Sequence, residues 1–133
     1  MNDNEYYKEE VQKNTIYLHH TAGGSRPDWT IGGWESDFIK DRNGNPVLDQ
    51  NGQLQPLRVG TSYVIGRKSS STGDKTWDGK ILKAFDDKYW AYHLGISTPN
   101  SRELNSSAVA IELCNYGPLT KGKDGRFYNY VNF

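Results

Sequence analysis

Two segments of the chain have the β-branched and apolar content of buried β-strands. They are residues 15–20 (TIYLHH) and residues 108–114 (AVAIELC). Successive side chains of a strand point to opposite faces. The second segment therefore has one face of large apolar side chains, Val109, Ile111 and Leu113, and one of small or ionisable side chains, Ala108, Ala110, Glu112 and Cys114. This division is typical of a strand that lies between a core and a pocket.

Weaker patterns predict the remaining elements. Residues 61–65 predict a third strand, and apolar residues at helical spacing (Ile31, Trp34, Phe38) predict a helix over 30–41 that packs on one sheet face. Two Asn-Gly pairs in the polar stretch 41–56 predict a hairpin insertion. The sequence thus predicts an α/β fold with a central mixed β-sheet flanked by helices, in a domain of residues 15–133 that follows an N-terminal arm, residues 1–14.

Length and charge narrow the function classes. A chain of 133 residues favours a single domain. Its 16 basic and 16 acidic residues cancel, which argues against a general nucleic-acid binder. No run of about 18 apolar residues exists that would insert into a membrane, and the polar start MNDNE is unlike a secretory signal peptide. We therefore expect synthesis in the cytoplasm.

Three histidines are candidates for chemistry. His19 and His20 are neighbours in a predicted strand, so they point to opposite faces. We expect His20 to lie on the core face with Ile16 and Leu18, and His19 to project beside a small-residue turn that leaves room for a ligand. The alternative is that these are structural histidines satisfied by hydrogen bonds, because two separated imidazoles do not make a metal motif.

Other candidates are an acid and several aromatic residues. Glu112 interrupts an apolar strand, and burial there would raise its pKa towards the range of a general base. The alternative is an exposed glutamate on an edge strand. A sugar-binding cleft and the core are the two alternatives for the aromatic residues Trp29, Trp34, Trp90, Tyr92 and the other tyrosines.

Several motifs together resemble one enzyme family. They are IYLHHTAG (16–23), VGTSYVI (59–65), DGKI (78–81), WAYHLG (90–95) and NSSAVAIELCN (105–115). In this order they resemble the type 2 N-acetylmuramoyl-L-alanine amidases, a family that includes phage amidase-type lysozymes and peptidoglycan recognition proteins. The resemblance covers roughly residues 15–117. It implies an amidase-like fold and zinc-dependent hydrolysis of the amide bond between N-acetylmuramic acid and L-alanine in peptidoglycan.

The resemblance also implies roles for individual residues. His19 matches the first zinc ligand, Glu112 the acid that polarises the attacking water, and His93 a cleft histidine that meets substrate. Trp90, Tyr92, Thr61 and Asn115 are expected to contact peptidoglycan. Thr61 and Ser62 stand where many members have a histidine or a catalytic tyrosine. The implied place of action is the cell wall, in the periplasm, outside the cell or on a virion.

One part of the family pattern is missing. Members complete the zinc site with a histidine and a cysteine or aspartate after the IEL strand, whereas this chain has no histidine after residue 93. Residues 128–133 (YNYVNF) also read like the middle of a domain. We therefore expect an N-terminal portion of an amidase with an incomplete zinc site, which alone binds zinc poorly and has little or no activity. We also expect an exposed sheet face that a second chain or another copy covers. The alternatives are a peptidoglycan-recognition module without catalysis and a structural virion domain.

Overall fold

A mixed four-stranded sheet organises the molecule. The computed structural model describes residues 1–128, so the predicted C-terminal aromatic run lies outside the described residues from 129 onward. The strands are β1 (Thr15–His20), β2 (Tyr63–Ile65), β3 (Ile81–Lys83) and β4 (Ala108–Leu113). Their order is β1-β4-β2-β3, with β1, β4 and β2 parallel and β3 antiparallel to β2. The predicted α/β fold with a mixed sheet is confirmed at this level.

Helix α1 (Pro27–Glu35) begins earlier and ends earlier than the prediction of 30–41. Pro27 occupies the first turn, where a missing backbone N–H costs nothing. The helix ends because Ser36 caps it: its backbone N–H and its hydroxyl both donate to the carbonyls of Gly32 and Gly33. Phe38 consequently lies beyond the helix. A second helix, α2 (Ser101–Ser106), was not predicted.

The stretch after α1 forms two consecutive hairpin turns. Isolated bridges pair Phe38 with Pro56, Lys40 with Pro46 and Leu48 with Leu54. In each turn an aspartate, Asp41 or Asp49, accepts two backbone N–H groups through one carboxylate oxygen. The hairpin prediction from the Asn-Gly pairs is thus confirmed. A smaller hairpin of β5 (Thr120–Lys121) and β6 (Phe127–Tyr128) follows the sheet.

The N-terminal arm is extended and packs against the segment before α2. The Tyr7 N–H donates to the Trp90 carbonyl at 2.8 Å, and the Tyr6 ring stacks on Phe85 with centroids 5.0 Å apart. Tyr6, Phe85 and Ala91 are buried and form the core cluster together with Ala84. The arm therefore contributes to the core.

The core lies on the sheet face opposite to the one that we predicted from β1. Ile16 and Leu18 are each 67% exposed, so the expectation that His20 shares a core face with them is wrong. The buried face is the one with small side chains, Ala108, Ala110 and Cys114. Small residues let the segment around Trp90 and Ala91 approach the sheet closely, and this closeness moves the core to their side.

The other sheet face is apolar and open. It carries Ile16, Leu18 and Ile81, of which the last is 60% exposed, beside the half-buried Val109 and Ile111. Contiguous exposed apolar surface of this kind is uncommon on monomers. This is the face that we expect a second chain or another copy to cover. No helix within residues 1–128 has the length and apolar character needed to cross a membrane.

Candidate active site

A pocket of about 260 Å³ lies on the buried side of the sheet. Four of the residues singled out in the sequence line it: Glu112, His93, Tyr92 and Thr61. His19 joins them through a hydrogen bond to His93, although 74 positions separate the two histidines. The register of the sheet explains this convergence, because His19 of β1 lies directly beside Glu112 of β4.

The two histidines form a direct pair with defined protons. The Nε2 atom of His19 lies 2.9 Å from Nδ1 of His93, and Nε2 of His93 lies 3.3 Å from the carbonyl oxygen of Asn105. A carbonyl only accepts, so Nε2 of His93 carries the proton and Nδ1 holds the lone pair. His19 therefore donates through Nε2–H, and its own Nδ1 keeps a lone pair.

Asn105 holds the segment that carries His93. Its side-chain oxygen accepts the backbone N–H groups of His93 at 2.7 Å and Leu94 at 3.1 Å. Its amide group donates to the Ser101 carbonyl at 2.7 Å, which ties the arrangement to α2. Asn105 is 1% exposed, so water cannot replace these bonds. The position and the tautomer of His93 thus both depend on this one residue.

Burial lowers the pKa values of His19 and His93 and raises the pKa of Glu112. Desolvation, with a smaller contribution from His19, lowers the pKa of His93 to about 4. Desolvation, and to a lesser extent His20, also lowers the pKa of His19. The same desolvation raises the pKa of Glu112 above its ordinary value, partly offset by His20. At neutral pH the pocket therefore contains two uncharged imidazoles beside a carboxylate whose proton affinity is increased.

Two of the expected substrate contacts lie outside this pocket. Trp90 is 1% exposed, and its indole N–H donates to a Glu9 carboxylate oxygen at 3.2 Å. Asn115 lies past the end of β4, where its backbone N–H and carbonyl both bond to the Thr21 hydroxyl. In this structure the first is a core residue and the second stabilises a turn.

Sequence reasoning gave no role to two residues of the site, Gly60 and Asn105. Trp34, one of the aromatic candidates for a sugar-binding cleft, forms one wall of the pocket. Gly60 lies beneath it with φ of +147°, and a Cβ atom there would meet the Trp34 ring at 2.8 Å. Asn105 opens one of the quoted motifs, but nothing in the residue pattern assigned it a role. Its place at the start of that motif is the one feature of the sequence that could have suggested a role for Asn105.

The described residues do not fit a complete zinc site. Within residues 1–128 no three side chains of His, Cys, Asp or Glu are grouped so that they could hold a metal ion. Protein zinc sites use at least three such ligands. His19 has a lone pair on Nδ1 for one bond, while its Nε2 is engaged with His93.

Comparison with known proteins identifies no relative. No protein-family model matches the chain. No curated protein and no solved structure matches it either.

The hydrogen bonds of Asn105 lead to a prediction about stability. Asn105→Ala leaves the N–H groups of His93 and Leu94 buried without an acceptor, and each such group costs about 1–3 kcal/mol. We expect the free energy of unfolding to fall by about 2–4 kcal/mol in urea denaturation. Asn4→Ala, at an exposed position of the N-terminal arm, is the control and should change it by less than about 0.5 kcal/mol. Equal effects of the two substitutions would contradict this role.

Proposed function

We propose that the pocket hydrolyses the amide bond between N-acetylmuramic acid and L-alanine in peptidoglycan, and that the sheet belongs to the amidase type of α/β fold. The observation that carries the proposal is the convergence of His19, His93 and Glu112 at one pocket from three separate motifs. The resemblance of those motifs to the amidase family is the reason for proposing peptidoglycan as the substrate. The proposed place of action is accordingly the cell wall.

Glu112 is the proposed general base. Its carboxylate lines the pocket and is partly desolvated, which increases its affinity for a proton. It takes a proton from the attacking water while the oxygen bonds to the carbonyl carbon. When the C–N bond breaks, the same proton passes to the nitrogen of the leaving alanine. A single carboxylate thus accounts for the proton transfers of the reaction.

His93 orients the His19 ring and does not stabilise the negative charge that develops on the substrate. Its Nε2–H is donated to Asn105, and its Nδ1 accepts from His19. Both ring nitrogens are therefore engaged, so neither is free to donate to an oxyanion. The consequence is a fixed His19 ring whose Nδ1 lone pair is preserved.

Trp34 and Tyr92 are the proposed binding surfaces for the substrate. Both line the pocket and neither is fully buried. The Tyr92 ring is held edge-on by Trp90, with centroids 5.1 Å apart. Trp90 therefore supports the pocket wall from behind without touching the substrate.

A second candidate function is recognition of peptidoglycan without hydrolysis. It is favoured by the finding that residues 1–128 group fewer than three metal-ligating side chains at the site. The zinc ion that the resemblance implies supplies a Lewis acid in amide hydrolysis. A module that binds stem peptides needs the pocket and its aromatic walls, but not that ion.

Two adjacent histidines provide a matched test of the proposal. The substrate is a soluble N-acetylmuramoyl-L-alanyl peptide, and the readout is the free peptide amine released with added Zn²⁺ and with a chelator. Because the described residues supply fewer than three zinc ligands, we expect only slow, zinc-dependent cleavage by this chain. His19→Ala should lower it by about a further tenfold, and His20→Ala, whose side chain is on the exposed face, should change it by less than about twofold.

Binding measured by calorimetry separates the two candidates. Cleavage that depends on His19 supports hydrolysis. Binding without cleavage, at any zinc concentration, favours the recognition module. The absence of both contradicts the assignment of this pocket to peptidoglycan.

A further inference from the structure

A second pocket, of about 380 Å³, lies at the carboxyl edge of the parallel strands. Arg67 follows β2 by two residues and Asn115 follows β4 by two residues, and the last residues of these strands, Ile65 and Leu113, are paired. Both therefore leave the sheet side by side and line this pocket. In open α/β sheets, ligands bind in the crevice beyond the carboxyl ends of the strands. We call this cavity the Arg67 pocket.

The arginine is held in place, but no ion pair within the part of the chain that the structure describes neutralises its charge. Its guanidinium lies over the Tyr116 ring, 4.8 Å from the centroid, and its Nε–H donates to the Lys68 carbonyl at 3.1 Å. Its backbone N–H donates to the Ser25 carbonyl at 3.2 Å. Arg67 takes part in none of the ion pairs found within residues 1–128. As far as residues 1–128 show, the two terminal amino groups of its guanidinium remain to bind an anion.

The surroundings of Arg67 include both a donor and apolar surface. The Asn115 side-chain oxygen accepts the Gly117 N–H at 2.8 Å, which leaves its NH₂ group as the donating end. The hydroxyls of Ser70, Ser69 and Ser71 lie near the Tyr116 hydroxyl and lower its pKa. Leu119 and Phe127 also line the pocket, and they are 60% and 64% exposed. An anion that binds here has an apolar wall beside it.

We propose that the Arg67 pocket binds the terminal carboxylate of a peptide whose last side chain is small and apolar. The planar fork of a guanidinium matches the two oxygens of a carboxylate. The apolar wall favours a peptide terminus over inorganic phosphate, which has no apolar part to bury. The site deepens the proposed function, on which it rests for the source of the peptide: a stem peptide of peptidoglycan has such termini.

The test is a titration of the full chain followed by the backbone amide signals of residues 67 and 115–117. The probes are N-acetyl-alanyl-alanine, its C-terminal amide and inorganic phosphate. We expect saturable shifts with the acid, binding at least about tenfold weaker with the amide because the charge-assisted bonds are lost, and weaker binding of phosphate. Comparable affinity for the amide or for phosphate would overturn the proposal.

Variants identify the residue responsible. Arg67→Gln should weaken binding of the acid by about tenfold or more, and Arg67→Lys, which keeps the charge without the fork, should weaken it to a smaller extent. The matched control is Lys68→Gln, which removes the neighbouring exposed cation and should leave the affinity within about twofold. Equal effects of Arg67→Gln and Lys68→Gln would also overturn the proposal.

The titration is independent of hydrolysis. If the chain binds the acid through Arg67 but cleaves no muropeptide, the peptide-binding pocket is supported and the proposed hydrolysis is contradicted. If the chain cleaves muropeptides but binds acid and amide equally, the proposed hydrolysis is supported and the carboxylate-binding role of the Arg67 pocket is contradicted.

Discussion

Glu112→Gln is expected to lower amide hydrolysis by about a hundred- to ten-thousand-fold in an enzyme whose zinc site is complete, the usual contribution of a positioned general base. The substitution keeps the shape of the side chain and removes its ability to accept a proton. Because the carboxylate is half-buried, loss of its charge also relieves a desolvation cost, so we expect the free energy of unfolding to stay the same or rise slightly. The measurement is the rate of peptide release from the N-acetylmuramoyl-L-alanyl substrate.

Binding distinguishes a loss of chemistry from a loss of the pocket. We expect Glu112→Gln to bind the substrate within about threefold of the unmodified chain, because proton transfer contributes only after binding. Glu103→Gln, an exposed glutamate on α2, is the matched control and should leave both hydrolysis and binding unchanged. Unchanged hydrolysis by the Glu112 variant would remove this residue from the mechanism.

The long strands could be predicted closely because their side chains carry a strong signal. The predicted segment 15–20 coincides with β1, and 108–114 exceeds β4 by one residue. Strand β2 is shorter than its prediction because Thr61 and Ser62, although buried, precede its regular pairing. The periodicity of β1 separates two faces but does not say which of them is covered. That choice depends on segments far along the chain, so Ile16 and Leu18 were placed on the wrong side.

The residues that meet at the candidate site could be predicted, but the hydrogen bonds that hold them there could not. His19, His93 and Glu112 were identified because histidines are few and an acid within an apolar strand is unusual. Their arrangement depends on hydrogen bonds between distant segments, such as the bond from the His93 backbone to Asn105. No local pattern encodes such a bond. For the same reason the sequence could not decide whether Trp90 faces a substrate or the core.

The burial of Trp90 leads to the largest effect on stability that we expect. The Trp90 ring stacks on Tyr7 with centroids 4.3 Å apart, its N–H bonds to Glu9, and the Arg102 guanidinium lies 4.8 Å from the ring centroid. Trp90→Ala removes these contacts and leaves a cavity between the N-terminal arm and the sheet. Changes of this kind cost about 3–5 kcal/mol, a large part of the roughly 5–15 kcal/mol that stabilises a typical domain.

An exposed tryptophan provides the comparison that separates a core role from a surface role. Trp29 is 68% exposed, and its main contact is the Arg26 guanidinium 4.3 Å from its ring. We expect Trp29→Ala to cost less than about 1 kcal/mol, the value of an exposed cation–π contact. Urea denaturation of both variants gives the difference directly. If Trp90→Ala kept the stability of the unmodified chain and lost affinity for the muramoyl peptide, Trp90 would be a binding residue whose ring turns out of the core to meet the substrate.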